Sequence, residues 1–479
     1  DDALVVLHRP HADPRALGKV ARPLADPTID VSVQAEVSPP RLFERRRVEP
    51  DAHPFAVAVR RAAWEEVGGL PAGDQPLPGF VDRLRAAGRR FALLPEERPG
   101  LGPLRRADPI TQECAAVILA LVPMHDVGGG SRGAQLAQEL LRWGFHVTYV
   151  ALYGTAESVD LGIRYPHPAL EQVRADRFDP DHLAERLIAA QRLAVVELPH
   201  ALYLDHLRRL QDLGFRGVYD LIDDWTAPSL GGDWYRPEVE RRLADTAHAL
   251  VVSSDPLRER LEQLTGRTVA LVPNAVNTDV FAGEAGPLPE DFPAGEGPVL
   301  GYHGSLYGDW FDWKALAEVA TAFPDARVVL LGDAPQQPAP LPANVHLLGL
   351  KPQPDLPAYV HRFDVGLVPF VVSPVTHAVS PLKVYEYLAC GAPVAAPPLR
   401  TLRGLPGVHT RGQLTEAVDE ALRAPAPDAE RILSMESWGD RVARVSAAAG
   451  IDAAAGHGRS PRAVTRPPVH YARRRRRIA

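Results

Sequence analysis

From Cys114 onward the chain alternates between short apolar runs and amphipathic stretches, and this alternation restricts it to a parallel α/β architecture. The first run, Ala115 to Val122, is apolar throughout, as a strand buried on both faces must be. Gly128, Gly129 and Gly130 follow, then a helical pattern from Ser131 to Trp143 with Leu136, Ala137, Leu140 and Leu141 on its inward side. Further strands are expected at 146–152, 194–198, 218–222, 249–253 and 269–272, separated by helices at 179–192, 203–213, 237–247 and 256–265. Gly283 to Gly297 is rich in Gly, Pro and Glu without periodicity and reads as a linker. Alternation then resumes, with strands at 298–303, 327–331, 345–348, 365–368 and 394–396 and helices at 312–323, 355–362, 380–390 and 411–423. The expectation is two doubly wound, Rossmann-like domains, 114–283 and 298–427, joined by a linker at 284–297 and closed by a helix at 428–447. Ligands of such sheets bind in the crevice outside the carboxyl ends of the strands.

Composition narrows the class. Of 479 residues, 46% are apolar and 24% charged, as in ordinary globular proteins. A net charge of −7 gives the body no reason to bind nucleic acid. Cys114 and Cys390 form no metal or redox motif, which fits a reducing cytoplasm. No apolar run reaches the ~18 residues that span a bilayer. No signal peptide is visible, although the chain begins at Asp1 rather than Met.

The stretch Ser373 to Val394 carries the strongest local signal. Ser380 reads as an N-cap and Pro381 as the first helical residue, while Gly391 stops the helix and Pro393 follows. Leu382, Tyr385, Leu388 and Ala389 form its apolar stripe, and Lys383 and Glu386 share the other face. A cation in the first turn opposes the helix dipole. Two readings follow: a surface Lys–Glu pair, worth little, or a seat for a phosphate, with Glu386 one turn deeper accepting from sugar hydroxyls. Three neighbouring strand ends, at Gly304-Ser305-Leu306, Gly332-Asp333 and Gly349 to Lys351, converge on the same place; each alone could be turn chemistry. The three glycines at 128–130 are neither a dinucleotide fingerprint nor a P-loop.

In chain order, the glycines with Gly144 to Val147, then Ser253 to Leu257, Val272 to Phe281, Gly304 to Leu306, Gly332-Asp333, Asp364 to Pro369 and Pro381 to Val394 resemble the retaining GT-B glycosyltransferases of family 4, over residues ~115–447. The resemblance implies a GT-B fold and transfer of a sugar from a nucleotide-diphosphate donor, with no metal and no cofactor. It assigns Glu386 to the donor ribose and Lys383 to the diphosphate. Gly129 and Gly130 would admit the phosphate, and Gly304, Ser305, Leu306, Gly332, Asp333 and Lys351 would lie near diphosphate or base. Lys314, in Trp310 to Lys314, is either the family's loop cation at a longer spacing or a helix-surface lysine. The position eight before Glu386, acidic in that family, is Ala378 here. On the first domain, His200 could contact the sugar or acceptor or be a hydrogen-bonded loop histidine. Asp223 or Asp224 could orient the acceptor hydroxyl or cap the next turn. The implied acceptor is a glycan or a lipid-linked glycan, in cell-surface polysaccharide or glycolipid synthesis. Two other readings stand beside this one: a non-catalytic GT-B scaffold or sugar-binding partner, and a GT-B nucleotide-sugar epimerase.

The two ends of the chain read differently. Residues 1–113 hold too few elements for a full α/β domain: strands at 3–7 and 91–94, a strand running into a short helix over 53–69, and a helix over 80–88. Phe55 to Gly69, with Arg60, Arg61, Trp64 and the Gly68-Gly69 pair, and Leu4 to Leu17 resemble the C-terminal half of a family 2 glycosyltransferase of GT-A type. The metal-binding acidic motif of that family is missing where His8 to Asp13 stand, and Leu77 to Phe80 replaces its later acidic pair. The resemblance implies a truncated module that serves as a helper surface. Residues 448–479 have no apolar pattern and read as disordered. Their end, Arg473 to Arg477, is either a solvated basic terminus or a contact with anionic membrane at its inner face, worth ~1 kcal/mol per arginine.

Overall fold

The computed structural model describes residues 113–452, apart from 155–160, 162–164, 166, 233, 307 and 335–339, together with strands at 4–8, 31–35, 54–60, 91–95 and 110–111. The chain forms two compact units, Asp1–Leu101 and Gly102–Ala479. In the first unit, β1 (Leu4–His8), β2 (Val31–Ala35), β3 (Pro54–Arg60) and β4 (Phe91–Pro95) make a sheet in the order β1-β3-β2-β4. β3 runs antiparallel to β1 and β2, and β2 parallel to β4. β2 went unread in the sequence because its pattern is short and mixed. The helices expected within 53–69 and 80–88, and the tail with Arg473 to Arg477, lie outside the described residues.

The second unit holds two parallel sheets in the doubly wound order expected of the GT-B arrangement. The first contains β6 (Cys114–Ala120), β7 (His146–Ala151), β8 (Leu170–Arg174), β10 (Gln191–Val196), β11 (Arg216–Leu221), β12 (Ala249–Val252) and β13 (Ala270–Leu271), ordered β13-β12-β11-β10-β6-β7-β8. The second contains β14 (Val299–His303), β15 (Arg327–Leu331), β16 (Val345–Leu347), β17 (Val365–Leu367), β18 (Val394–Ala396) and β19 (Val408–Thr410), ordered β16-β15-β14-β17-β18-β19. In both, the strand order reverses beside the first strand, at β6/β10 and at β14/β17, the point where sheets of this kind receive their ligands. β6 shows why the apolar run was diagnostic. Ala115, Val117 and Leu119 enter the core on one face of the sheet, Cys114, Ala116, Ile118 and Ala120 the core on the other. Each such valine, leucine or isoleucine contributes ~1.5–3 kcal/mol by leaving water.

Four expectations change. The helix over 179–192 ends at Arg186, because Leu187–Ile188 becomes a short strand, β9, paired with β5 (Ile110–Thr111). The helix over 355–362 is a 3-10 turn, Gln353–Asp355, followed by Pro357–Val360; Pro357 has no N–H to continue the turn. The closing helix is two helices, Ala429–Met435 and Trp438–Ala448. The break occurs where the Glu436 carbonyl is taken by the Val276 N–H and Ser437 caps the second helix through Asp440 N. The helix over 380–390 runs over Leu382–Ala389, and a short helix that went unread, Pro374–Ala378, precedes it. The edge strands β8 and β19 went unread because half-buried edges carry no continuous apolar run. Trp438, Val442 and Val445 return across the unit to pack with Leu136, Leu140 and Leu141 on the first sheet.

Candidate functional site

Ser380 does not cap the Lys383 helix. Its hydroxyl accepts from Asn274 N at 3.3 Å and its carbonyl from Asn274 Nδ2 at 2.6 Å. Ser373 does the capping instead, for Pro374–Ala378, in a box with Thr376. The helix Leu382–Ala389 therefore starts at Pro381 without a side-chain cap, an arrangement suited to an anion. Gly391, at φ 79°, ends it as expected.

Lys383 is not half of a surface ion pair. Its Nζ lies 5.2 Å from the Tyr302 ring centroid and 5.1 Å from that of Phe370. A Cβ on Gly304 (φ 128°) would come within 3.0 Å of its Cε, so the bare backbone makes room for the lysine. Burial lowers the ammonium pKa to about 8, with Glu386 pulling the other way. Glu386 is 4% exposed and faces elsewhere. Its Oε1 accepts from Gln353 Nε2 at 3.1 Å. Its Oε2 is 3.1 Å from His303 Nε2, but that ring nitrogen has no aligned hydrogen-bond partner. His303 stands edge-on to Tyr387, whose hydroxyl accepts from His303 N.

The three strand ends do converge. Leu306 N donates to Asp333 O at 3.1 Å, Gly332 N to Gly349 O at 2.9 Å, and Tyr302 Oη to Ser305 O at 2.9 Å. A Cβ on Gly332 would collide with the Gly304 carbonyl, so these two loops touch only because position 332 is glycine. From the first sheet, Gly128 and Gly129 reach the same place at φ 61° and 84°. A Cβ on Gly128 would lie 2.7 Å from the Lys351 carbonyl, and one on Gly129 would strike the Tyr165 hydroxyl. Gly130 leads into Ser131, which caps the helix Arg132–Arg142 through Ala134 N.

The remaining expected residues are placed differently. Lys351 contributes its backbone here, but its ammonium bonds Asp291 of the linker at 2.5 Å and sits over Tyr359. Lys314 is 88% exposed, 3.8 Å from Glu318 one turn on, as a helix-surface lysine is. His200 caps the helix Ala201–Asp212, Nδ1 accepting from Leu202 N, and its ring is tilted against that of Trp234; burial lowers its pKa. Asp224 accepts from Thr226 N and Oγ1. Its neighbour Asp223 is pushed up to about 7 by burial, with Asp224 adding to the rise.

Several residues went unread in the sequence. Arg132 gives a two-pronged bond to Asp220, at 2.8 and 3.0 Å, and its third nitrogen goes to Asn274 Oδ1. It occupies the first turn of a helix, so the dipole argument used for Lys383 would have singled it out. Glu197, 3% exposed, lies against Gly133; burial, then Asp220, push it up to about 8 against the pull of Arg132. Gln135, Gln353 and Asn277 carry no signal in a single sequence. Ala378 is buried, and its carbonyl takes the Ser254 hydroxyl at 2.6 Å, a contact between the two sheet domains. Among the described residues, no group of three or more His, Cys, Asp or Glu is placed to hold a metal ion.

A protein of Bacillus subtilis (strain 168) named as a teichuronic acid biosynthesis glycosyltransferase, TuaH, is 32% identical over 196 residues. The match covers 37% of this chain and 49% of the relative, so the chain spans about half the length of that curated relative. Among solved structures, sucrose-phosphate synthase from Thermosynechococcus elongatus aligns at 17% identity and a TM-score of 0.49, over 70% of this chain and 96% of that one. The α,α-trehalose 6-phosphate synthase from Burkholderia multivorans aligns at 14% identity and 0.48, over 71% and 98%. Over residues 297–426, which hold the second parallel sheet and the Lys383 helix, the chain matches the family of glycosyl transferases group 1.

Proposed function

We propose that the chain transfers a sugar, with retention, from a nucleotide-diphosphate donor to a glycan or lipid-linked acceptor in the synthesis of a cell-surface polysaccharide or glycolipid. One observation carries the reading. A lysine held over aromatic rings and a buried glutamate lie one turn apart on a helix whose start has no side-chain cap, where three glycine-bearing strand ends meet. In this reading Glu386 accepts from the ribose hydroxyls. Lys383, the start of its helix and the backbone of Gly129 and Gly130 take the diphosphate. As the glycosidic bond breaks, negative charge builds on the departing phosphate. A cation and fixed N–H dipoles in a dry site stabilise it there, in place of a metal. His200 and Asp224, at the ends of β10 and β11, stand on the acceptor side. The partial match to a relative named for teichuronic acid biosynthesis supports a polysaccharide product. No described helix is long and apolar enough to cross a membrane. A cytoplasmic enzyme that meets lipid-linked acceptor at the inner membrane face through Arg473 to Arg477 fits the same reading.

The test is a thermal-shift screen against UDP-, GDP- and ADP-sugars, followed by a hydrolysis assay on any donor found. A donor at about 100 times its dissociation constant stabilises by about 2.7 kcal/mol. Donor hydrolysis that disappears in Glu386→Ala supports transfer. Donor binding without turnover would leave a scaffold, and epimerised donor would identify an epimerase.

A further inference from the structure

Three buried amides connect the two sheet domains in one line. Asn277 Nδ2 donates to Gln135 Oε1 at 2.8 Å, Gln135 Nε2 to Gln353 Oε1 at 2.8 Å, and Gln353 Nε2 to Glu386 Oε1 at 3.1 Å. The other hydrogen of Gln135 Nε2 goes to the Gly129 carbonyl at 3.1 Å. Gln135 is 1% exposed, Gln353 4% and Asn277 5%, so water does not compete for these bonds.

The direction of the line is dictated by its end. A carboxylate only accepts, so Gln353 must turn its NH2 to Glu386 and its oxygen to Gln135. Gln135 must then present its NH2 to Gln353, which leaves its oxygen for Asn277. Because that same NH2 also holds the Gly129 carbonyl, the orientation of the glycine loop follows from the state of a carboxylate in the other domain. A ligand hydroxyl that takes Oε1 of Glu386 displaces Gln353 Nε2, and that change can pass through two side chains to Gly129.

We propose that Gln135 and Gln353 are positioning residues: they set the Gly128–Gly130 loop of the first domain according to what occupies Glu386 of the second. The inference rests on the donor-site reading for what the relay serves, namely aligning the loop with a diphosphate once a ribose is bound. The relay itself is a property of the unliganded protein and is measurable without that reading.

Hydrogen exchange on the full, unliganded chain is the first test. Gln353→Leu cuts the line between the domains, and Gln135→Glu keeps the size and the acceptor for Asn277 while removing both donors. Each variant should speed exchange in peptides covering 126–134 by roughly tenfold, as expected for losing one hydrogen bond to a charged group or its transmitted equivalent. Unchanged exchange there in Gln353→Leu overturns the relay, because Gln135→Glu also removes the direct bond to the Gly129 carbonyl. The second test measures affinity for UDP, GDP and ADP and their nucleosides. Gln135→Glu should weaken the nucleoside diphosphate that binds wild type by roughly tenfold and leave its nucleoside unchanged. In a Glu386→Ala background the same substitution should cost less than about threefold, because coupled sites are not additive. Equal losses in both backgrounds, or equal losses for nucleoside and diphosphate, contradict the relay. If none of the three nucleotides binds wild type, the donor-site reading fails, and the exchange result alone decides the relay.

Discussion

Arg132 and Lys383 make the same offence against helix electrostatics in two halves of one molecule, and the outcomes differ. Each is a cation in the first turn of a helix that follows a strand end on the site side of its sheet. Arg132 meets the carboxylate of Asp220 at the end of β11, and Asn274 takes its remaining nitrogen. Its charge is spent inside the fold. Lys383 lies over Tyr302 and Phe370, and burial lowers its pKa to about 8. Its charge is held without being consumed. A first-turn cation in a sequence thus flags either a structural clasp or an anion seat. Whether the neighbouring strand brings a carboxylate to it decides which.

The largest effect should come from breaking the clasp. Asp220→Ala leaves a buried guanidinium without its partner, at a cost of about 3–5 kcal/mol. Chemical denaturation should show that loss, whereas Lys383→Met removes a charge that burial penalises and should not destabilise the fold at neutral pH. If Lys383→Met destabilises as much as Asp220→Ala, the lysine is a structural ion too. Next in size is Glu386→Gln. Charge-assisted bonds to ribose hydroxyls are worth about 1.5–3 kcal/mol, so nucleotide affinity should fall by at least tenfold; an unchanged dissociation constant removes Glu386 from the site.

A pH series sharpens the same contrast. Lys383 has its folded pKa lowered to about 8 from 10.5, so between these values the unfolded chain binds the extra proton and the folded one does not. The penalty for burying the charged lysine is therefore present below about pH 8 and relieved as pH rises towards 10.5. Wild type should gain stability relative to Lys383→Met across that window, while diphosphate binding weakens. A flat difference between the two proteins contradicts the depressed lysine. Smallest of all is Lys314→Ala. An 88% exposed lysine near Glu318 should change neither stability nor nucleotide affinity by more than about 0.5 kcal/mol; a large loss of binding would return it to the site.

What the chain disclosed follows what single residues can encode. β6 was readable because a strand buried on both faces must be apolar at every position. The Lys383 helix was readable because Pro381 and Gly391 bracket it and a lysine stands where none is favoured. Ser380 misled because cap residues are also good partners for distant backbone, and Asn274 claimed it. Lys351 was assigned by proximity to a strand end, yet Asp291, sixty residues earlier in the linker, holds its ammonium. Gln135 and Gln353 are ordinary polar residues until the fold buries them against each other. Long-range pairing of this sort leaves no local pattern.

The most direct measurement is calorimetric titration of Lys383→Ala and wild type with a nucleoside diphosphate, UDP, GDP or ADP as the screen selects, and with the matching nucleoside. The account predicts that the substitution weakens the diphosphate by at least tenfold, as expected for losing a charge-assisted bond, and leaves the nucleoside within about twofold. Equal weakening of both, or of neither, would contradict a phosphate seat at the start of the Lys383 helix.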